Sequence, residues 1–245
     1  GFAAVILKLS SAASSDKDDQ YCEIIACGMN NDGQNAVPMT APSAKMQAQL
    51  SRMVLEQSGL APEDVDYFEA HGTGTAIGDV VEVTSIADTY TKRNGNLKRK
   101  LRVGSVKSNL NHTESTSGLA GLIKVALMIK NKRLVPTVNV HVLNPKLKLE
   151  DKGLVVQQTS EPWSTQNGKP RTGAVNSFGY GGSNVHVILR EVTPHKSLQE
   201  ESIKRLNHVL TFSARSKEAL QKMAHYYSEW LRDHIDGRDE NLVAD

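Results

Sequence analysis

The stretch 65–79, VDYFEAHGTGTAIGD, passes from an apolar strand pattern straight into a polar, glycine-rich turn. Residues 65–70 read as a strand, His71 stands at its end, and Gly72, Thr73, Gly74 and Thr75 follow at once. Downstream, GDVVEVTSIADTY reads as a helix. The same grammar recurs further along. LRVGSVK (101–107) reads as a strand, opens into a polar turn carrying His112, and gives way to the mostly apolar helix SGLAGLIKVALMIKNK, expected to be buried. RTGAVNSF (171–178) reads as a strand entering the turn GYGGSN, from which VHVILRE returns as another strand. Strands alternating with helices, with polar turns at strand ends, define an open α/β fold, and in such sheets ligands gather at strand ends. If the turns after Ala70, Lys107 and Phe178 meet, they enclose one pocket holding His71, Lys107, His112 and the GYGG backbone.

Outward from these turns, residues 2–9 read as a short buried strand and 10–20 as a surface loop. Residues 21–29 form a second strand ended by NNDGQN. A helix follows with Met46, Leu50, Met53 and Val54 at helical spacing, Ser43 as its cap and Gly59 as its stop. GLVVQQ (153–158) is a further strand. Residues 191–206 are charged and unpatterned, a linker between a domain over 21–190 and a small unit from 207 to 245, in which HVLTFSA reads as a strand and SKEALQKMAHYYSEWLRDHI as a helix.

Composition narrows the function. The 245 residues carry a net charge of +2, 39% hydrophobic residues and 5% aromatics. The basic run KRNGNLKRK (92–100) is broken by Asn and Gly and has no aromatics between its charges, so it reads as a solvated loop; no nucleic-acid partner is implied. No apolar stretch is long enough to span a membrane. Cys22 and Cys27 lie five apart on one strand, neither a disulfide framework nor a metal-ligand spacing, and read as small buried residues of a reduced compartment. No H-x-x-x-H stands in the chain, and G-x-G-x-x-x-G at Gly72, Gly74 and Gly78 misses the dinucleotide fingerprint by one residue. No metal and no nucleotide follow from these patterns.

The usual role of a single histidine after a strand is structural. Two histidines, each in a glycine-bearing turn, point to chemistry. Imidazole serves as acid, base or neutral hydrogen-bond donor near pH 7, and paired neutral donors aimed at one oxygen stabilise an enolate or oxyanion. Lys107 could fix a neighbouring histidine by its charge, or be a surface lysine. Thr73 and Thr75 could orient a polar ligand arm, or bond only their own turn. Glu114 could pair with Lys107, or cap the helix that follows. Gly179, Gly181 and Gly182 suit a sharply turned backbone that presents N–H groups.

Taken together, EAHGTGTAIGDVVE, KSNLNHTESTSGLAGLIK and NSFGYGGSNVHVIL resemble three ordered signatures of the β-ketoacyl synthase domain of polyketide and fatty acid synthases, and NNDGQNAVPMTAPS is similar to the segment before the first. The resemblance covers residues 1 to about 190; 207–235 resemble the start of the linker between ketosynthase and acyltransferase. It implies a thiolase-like layered αβαβα fold, of which this chain is the C-terminal half, followed by the start of a small α+β linker domain. Residues 1–20 would then close the N-terminal half. The implied reaction is decarboxylative Claisen condensation of an acyl thioester with malonyl-acyl carrier protein. His71 and His112 match the histidines that assist decarboxylation and hold the enolate, and Lys107 their supporting lysine. Thr73 and Thr75 match pantetheine contacts. Tyr180 matches a gate residue, and Gly179 and Gly181 lie in the loop whose backbone shapes an oxyanion hole.

The resemblance also implies a cytoplasmic homodimer working with an acyl carrier protein, which brings phosphopantetheine, and with an adjacent acyltransferase domain; no cofactor is bound directly. Two departures stand out. Asn111 occupies a position where the family has glycine. The nucleophilic cysteine belongs to the half before residue 1, and neither Cys22 nor Cys27 lies in its motif, so the chain reads as an internal fragment of a larger synthase, inactive alone. A non-catalytic relative that only binds or dimerises is the alternative from another class; a nucleotide-binding oxidoreductase would need the fingerprint that is absent.

Overall fold

The structure, a computed structural model, describes residues 1–35, 42–93, 95–165, 168–193 and 212–234. The chain divides into two compact units, Gly1–Thr193 and Pro194–Asp245. The first begins with helix α1 (Ser10–Ser15), strand β1 (Glu23–Asn31), helix α2 (Ala44–Ser58), strand β2 (Tyr67–Glu69) and helix α3 (Gly78–Ile86). A π-helical turn (Ala87–Thr91) leads into the two-residue strands β3 (Lys92–Arg93) and β4 (Asn96–Leu97), then β5 (Leu101–Gly104), α4 (Lys107–Leu110) and α5 (Ser117–Lys130). The strands β6 (Arg133–Leu134), β7 (Leu154–Val156), β8 (Glu161–Pro162), β9 (Thr172–Phe178) and β10 (Ser183–Arg190) complete it.

Among the described residues the main sheet has six strands in the order β1-β10-β9-β2-β5-β7. The four strands β9, β2, β5 and β7 are parallel; β10 pairs antiparallel with β9, and β1 pairs antiparallel with β10 at the edge. Side chains alternate across the pleat, so each strand serves two cores. Phe68, Ala174 and Ile188 face one way, with Leu50 and Val54 of α2 and Val83 and Ile86 of α3. Their sequence neighbours Tyr67, Val175 and Leu189 face the other, with Val125, Met128 and Ile129 of α5 and Trp163. The result is a sheet between two helical layers. It aims the C-terminal ends of β2, β5 and β9, all parallel, at one edge.

The helix over 44–58 forms as its sequence requires. Ser43 Oγ accepts the Met46 amide at 3.3 Å, and Gly59 ends the helix at φ 69°. Its buried stripe is Gln47, Ala48, Leu50, Ser51, Val54 and Leu55; Met53 lies at the edge and is 39% exposed.

Several expectations are corrected. Residues 2–9 form no strand: no edge of the sheet pairs with them, and Phe2, Ile6, Leu7 and Leu9 are exposed. Part of the loop expected after them is α1, whose amides close local bonds such as Ala13 N–H to Leu9 O. The strand over 101–107 stops at Gly104, and Lys107 opens α4 instead. Helix α5 is buried on one face only, because the sheet covers one side and Leu127 looks outward. Cys27 is exposed on the edge strand, while Cys22 is half-buried, its thiol pushed by burial up to about 11. The basic run is no simple solvated loop: Arg99 donates to the carbonyls of Pro62 (2.5 Å) and Val65 (2.7 Å), tying the β3–β4 hairpin to the turn before β2.

In the second unit the described residues carry helix α6 (Lys217–His234), against which Phe212 packs through Tyr227 at 5.2 Å between ring centroids. The strand expected over 208–214 does not form at 212–214, and 208–211 lie outside the described residues, as do 194–206 of the expected linker. No described helix is long and apolar enough to cross a membrane.

Candidate active site

The three turns do converge. A cavity of about 660 Å³ is lined by His71, Thr73 and Thr75 from the first turn, His112 from the second, and Phe178 and Tyr180 from the third. Two glycines permit the approach. A Cβ on Gly72, which has φ 48°, would stand 2.9 Å from Ser105 beneath the second turn. One on Gly118 would stand 2.8 Å from Ser177 Oγ on β9. Both contacts are closer than packed carbons tolerate.

His71 leaves β2 and is held at two points. Its backbone N–H and that of Gly72 donate to the two oxygens of Glu82 on α3, at 2.7 and 2.8 Å. Its ring nitrogen Nδ1 accepts the Phe178 amide at 3.3 Å and faces Lys107 Nζ at 3.4 Å. With donors on Nδ1, the proton resides on Nε2. His112 is arranged the same way. Its Nδ1 accepts the Glu114 amide at 2.9 Å, which again leaves Nε2–H as the donor. The two rings meet edge to face, 5.4 Å apart. Two neutral N–H donors thus stand together at the cavity, the arrangement that stabilises a developing enolate oxygen.

The electrostatics hold His71 neutral. Burial lowers the His71 pKa to about 3, with the Lys107 charge and His112 adding to the effect. Lys107 is half-buried, and burial lowers its own pKa, opposed by the acids Glu82, Glu69 and Asp79. Glu114 does not join them. It is exposed, and its contribution is the backbone amide that fixes the His112 tautomer.

The remaining residues divide. Thr75 Oγ1 accepts the Gly78 amide at 3.1 Å and lies 3.2 Å from Thr73 Oγ1, so both hydroxyls are partly spent on their own turn while lining the cavity. Gly179, Tyr180 and Gly182 line the cavity, and Gly181 does not; Tyr180 is 90% exposed. The loop is pinned through Gly182, which has φ 83° and whose carbonyl accepts the Asp32 amide at 2.8 Å. Neither cysteine lines the cavity. Asn111, next to His112, sits at φ 60° and ψ −172°, a region that glycine occupies freely and a side chain occupies under strain.

Sequence reasoning missed a second tier of residues. Glu82 is buried in the cavity wall and also accepts the Asn176 amide at 3.0 Å; burial pushes its pKa up against these three donors. Glu69 accepts the Val106 amide (2.5 Å), Tyr67 Oη (2.8 Å) and Lys124 Nζ (2.7 Å), and so secures the turn that carries Lys107. Glu69 stands two positions before His71 in the same motif, the one available signal.

The comparisons with known proteins agree with this geometry. Residues 21–141 match the family "Beta-ketoacyl synthase, C-terminal domain", and 144–242 match "Ketoacyl-synthetase C-terminal extension". Polyketide synthase PksL of Bacillus subtilis is 36% identical over 245 residues, covering 100% of this chain and 5% of that protein. A highly reducing polyketide synthase of Aspergillus terreus is 38% identical, over 100% of this chain and 10% of that protein. The ketosynthase from module 6 of the bacillaene synthase of Bacillus subtilis superposes with a TM-score of 0.77 at 34% identity, covering 96% of this chain and 40% of that one. An oxazolomycin ketosynthase domain of Streptomyces albus gives 0.76 at 35% identity, covering 97% and 40%. The sheet and its two helical layers are those of the thiolase-like condensing enzymes. The chain belongs to the β-ketoacyl synthase family: it carries the C-terminal ketosynthase domain and its extension, as found in polyketide synthases. It spans well under half of the ketosynthase structures and a tenth or less of the synthases it matches.

Asn111→Gly removes the strained side chain and should raise the unfolding free energy by about 1 kcal/mol, measured by denaturant titration; a fall would show that the Asn111 side chain is itself stabilising. His71 and His186 both have folded pKa values of about 3, below that of a free imidazole, in both cases chiefly through burial. The unfolded chain therefore binds more protons than the folded one between about pH 6.5 and pH 3, and stability falls as pH is lowered through that window. Replacing His186 with Phe should flatten this slope by up to about one proton; an unchanged slope contradicts the assignment.

Proposed function

We propose that this chain supplies the decarboxylation half of a ketosynthase active site. The observation that carries the reading is the pair of neutral Nε2–H donors, His71 and His112, each fixed in tautomer by a backbone amide on Nδ1. In the proposed reaction a malonyl thioester on an acyl carrier protein breaks its C–COO⁻ bond. Carbon dioxide leaves, and the electron pair passes into an enolate whose oxygen lies between the two donors. The enolate carbon then attacks an acyl thioester held on a cysteine. A carbon–carbon bond forms, the cysteine thiolate is expelled, and a β-ketoacyl thioester remains on the carrier. That cysteine would come from ketosynthase residues outside this chain, since Cys22 and Cys27 lie away from the cavity. In class the activity is an acyl transfer with condensation.

Lys107 would act behind His71, its ammonium keeping the imidazole uncharged. Thr73 and Thr75 would receive the phosphopantetheine arm, Tyr180 would gate the cavity mouth, and Gly179 with Gly181 would shape the loop beside the acyl thioester. Glu114 supports His112 through its amide. No directly bound cofactor is needed in this scheme. We further read residues 1–20 as the end of the preceding half-domain, 21–190 as the C-terminal half, 191–206 as a linker and 207–245 as the start of the ketosynthase–acyltransferase linker, in a cytoplasmic homodimeric synthase.

The test separates two partial reactions in the complete ketosynthase. His71→Ala should slow malonyl decarboxylation by about 10²–10³-fold while acyl loading persists; unchanged decarboxylation contradicts the reading. Lys107→Ala should cost more condensation activity than Lys107→Arg, which keeps the charge but not the shape. Wild-type rates in both would reduce Lys107 to a packing residue.

A further inference from the structure

The three donors on Glu82 are not equivalent. Two are backbone amides of the turn it holds. The third is the Asn176 side chain, which presents its N–H in only one of two orientations. Flipped, the same side chain would set its carbonyl oxygen against the carboxylate. The orientation is decided on the far side of the amide, where Asn176 Oδ1 lies 2.7 Å from His186 Nδ1. His186 Nε2 in turn lies 2.7 Å from Tyr90 Oη. Glu82 as a carboxylate only accepts, so the chain has one consistent direction. The Tyr90 hydroxyl donates to His186 Nε2, His186 Nδ1–H donates to Asn176 Oδ1, and the Asn176 amide donates to Glu82.

All four side chains are buried. The His186 ring is further fixed by stacking on Phe68, at 5.6 Å and 26°. Burial keeps it neutral, as a one-donor, one-acceptor relay requires. It is not among the residues that line the cavity.

We propose that His186 is a positioning residue for decarboxylation: it locks the Asn176 amide so that Glu82 holds the His71 turn in its working geometry. This rests on the reading of His71 as an enolate donor. A histidine that merely filled the core would affect stability, and with it both partial reactions alike. A positioning histidine affects decarboxylation selectively and acts only through Asn176.

The experiment uses the complete ketosynthase with His186→Phe, Asn176→Ala, the double variant, Tyr90→Phe and His71→Ala, measuring carbon dioxide release from a malonyl thioester and acyl loading by mass. His186→Phe should lower decarboxylation about tenfold, the scale of one lost hydrogen bond to a charged acceptor, with loading near wild type. Asn176→Ala should lose at least as much, and the double variant no more than Asn176→Ala alone. Tyr90→Phe removes one hydroxyl from the relay and should give a smaller loss in the same direction; it decides the matter if His186→Phe does not fold. Wild-type decarboxylation in His186→Phe, equal loss of both partial reactions, multiplied losses in the double variant, or a wild-type Tyr90→Phe when His186→Phe does not fold, each overturn the proposal. In those cases a loss in His71→Ala leaves the functional reading standing. Wild-type decarboxylation in His71→Ala overturns both.

Discussion

A carboxylate shut away from water holds this site together. Burying an ionised side chain costs several kcal/mol unless its oxygens are fully bonded, and Glu82 meets that condition with the amides of His71 and Gly72 and the side chain of Asn176. Those donors come from the turn after β2 and from β9, and Glu82 itself from α3. No one of these elements can move without leaving a buried charge or donor unpaired. The lining of the cavity is therefore positioned by a buried carboxylate in its own wall.

Glu69 repeats the device for the second turn. It is paired with Lys124 across α5, at side-chain exposures of 2% and 9%, and spends its other oxygen on the Val106 amide. Gly121 leaves room for it, since a Cβ there would approach Glu69 Cγ to 3.2 Å. Two buried glutamates thus brace two turns of the candidate site, one under His71 and one under Lys107. Each histidine accepts an amide on Nδ1 and so keeps Nε2–H free to donate into the cavity. The same burial that keeps His71 neutral makes the fold less stable in acid. The site's chemistry and its pH sensitivity have a common origin.

Much of this was legible in the sequence because it is local. Strand-then-turn at 65–75, 101–112 and 171–184, the Ser43 cap and the Gly59 stop each depend on residues a few positions apart. The convergence of His71, Lys107 and His112 followed from strand ends in an α/β sheet. What escaped depends on partners far along the chain. Glu82 lies in a helix whose pattern assigns its acid to no face, and its bond to Asn176 spans 94 positions. His186 alternates with apolar neighbours in VHVILR and gives no sign of its link to Tyr90, 96 positions away. The run 2–9 reads as a strand and forms none, because composition records that a segment is apolar and not whether a partner strand lies beside it. The strand pattern over 101–107 outruns the strand itself because nothing local reveals the Glu69 carboxylate that captures the Val106 amide beyond Gly104.

The most direct test is a structure of the complete ketosynthase with a malonyl thioester analogue that cannot lose carbon dioxide. The thioester carbonyl oxygen should lie within hydrogen-bonding distance of both His71 Nε2 and His112 Nε2, with Phe178 and Glu114 amides still on the Nδ1 atoms. A carbonyl bound elsewhere in the cavity, or a histidine whose Nε2 is turned away from it, would contradict the paired-donor account.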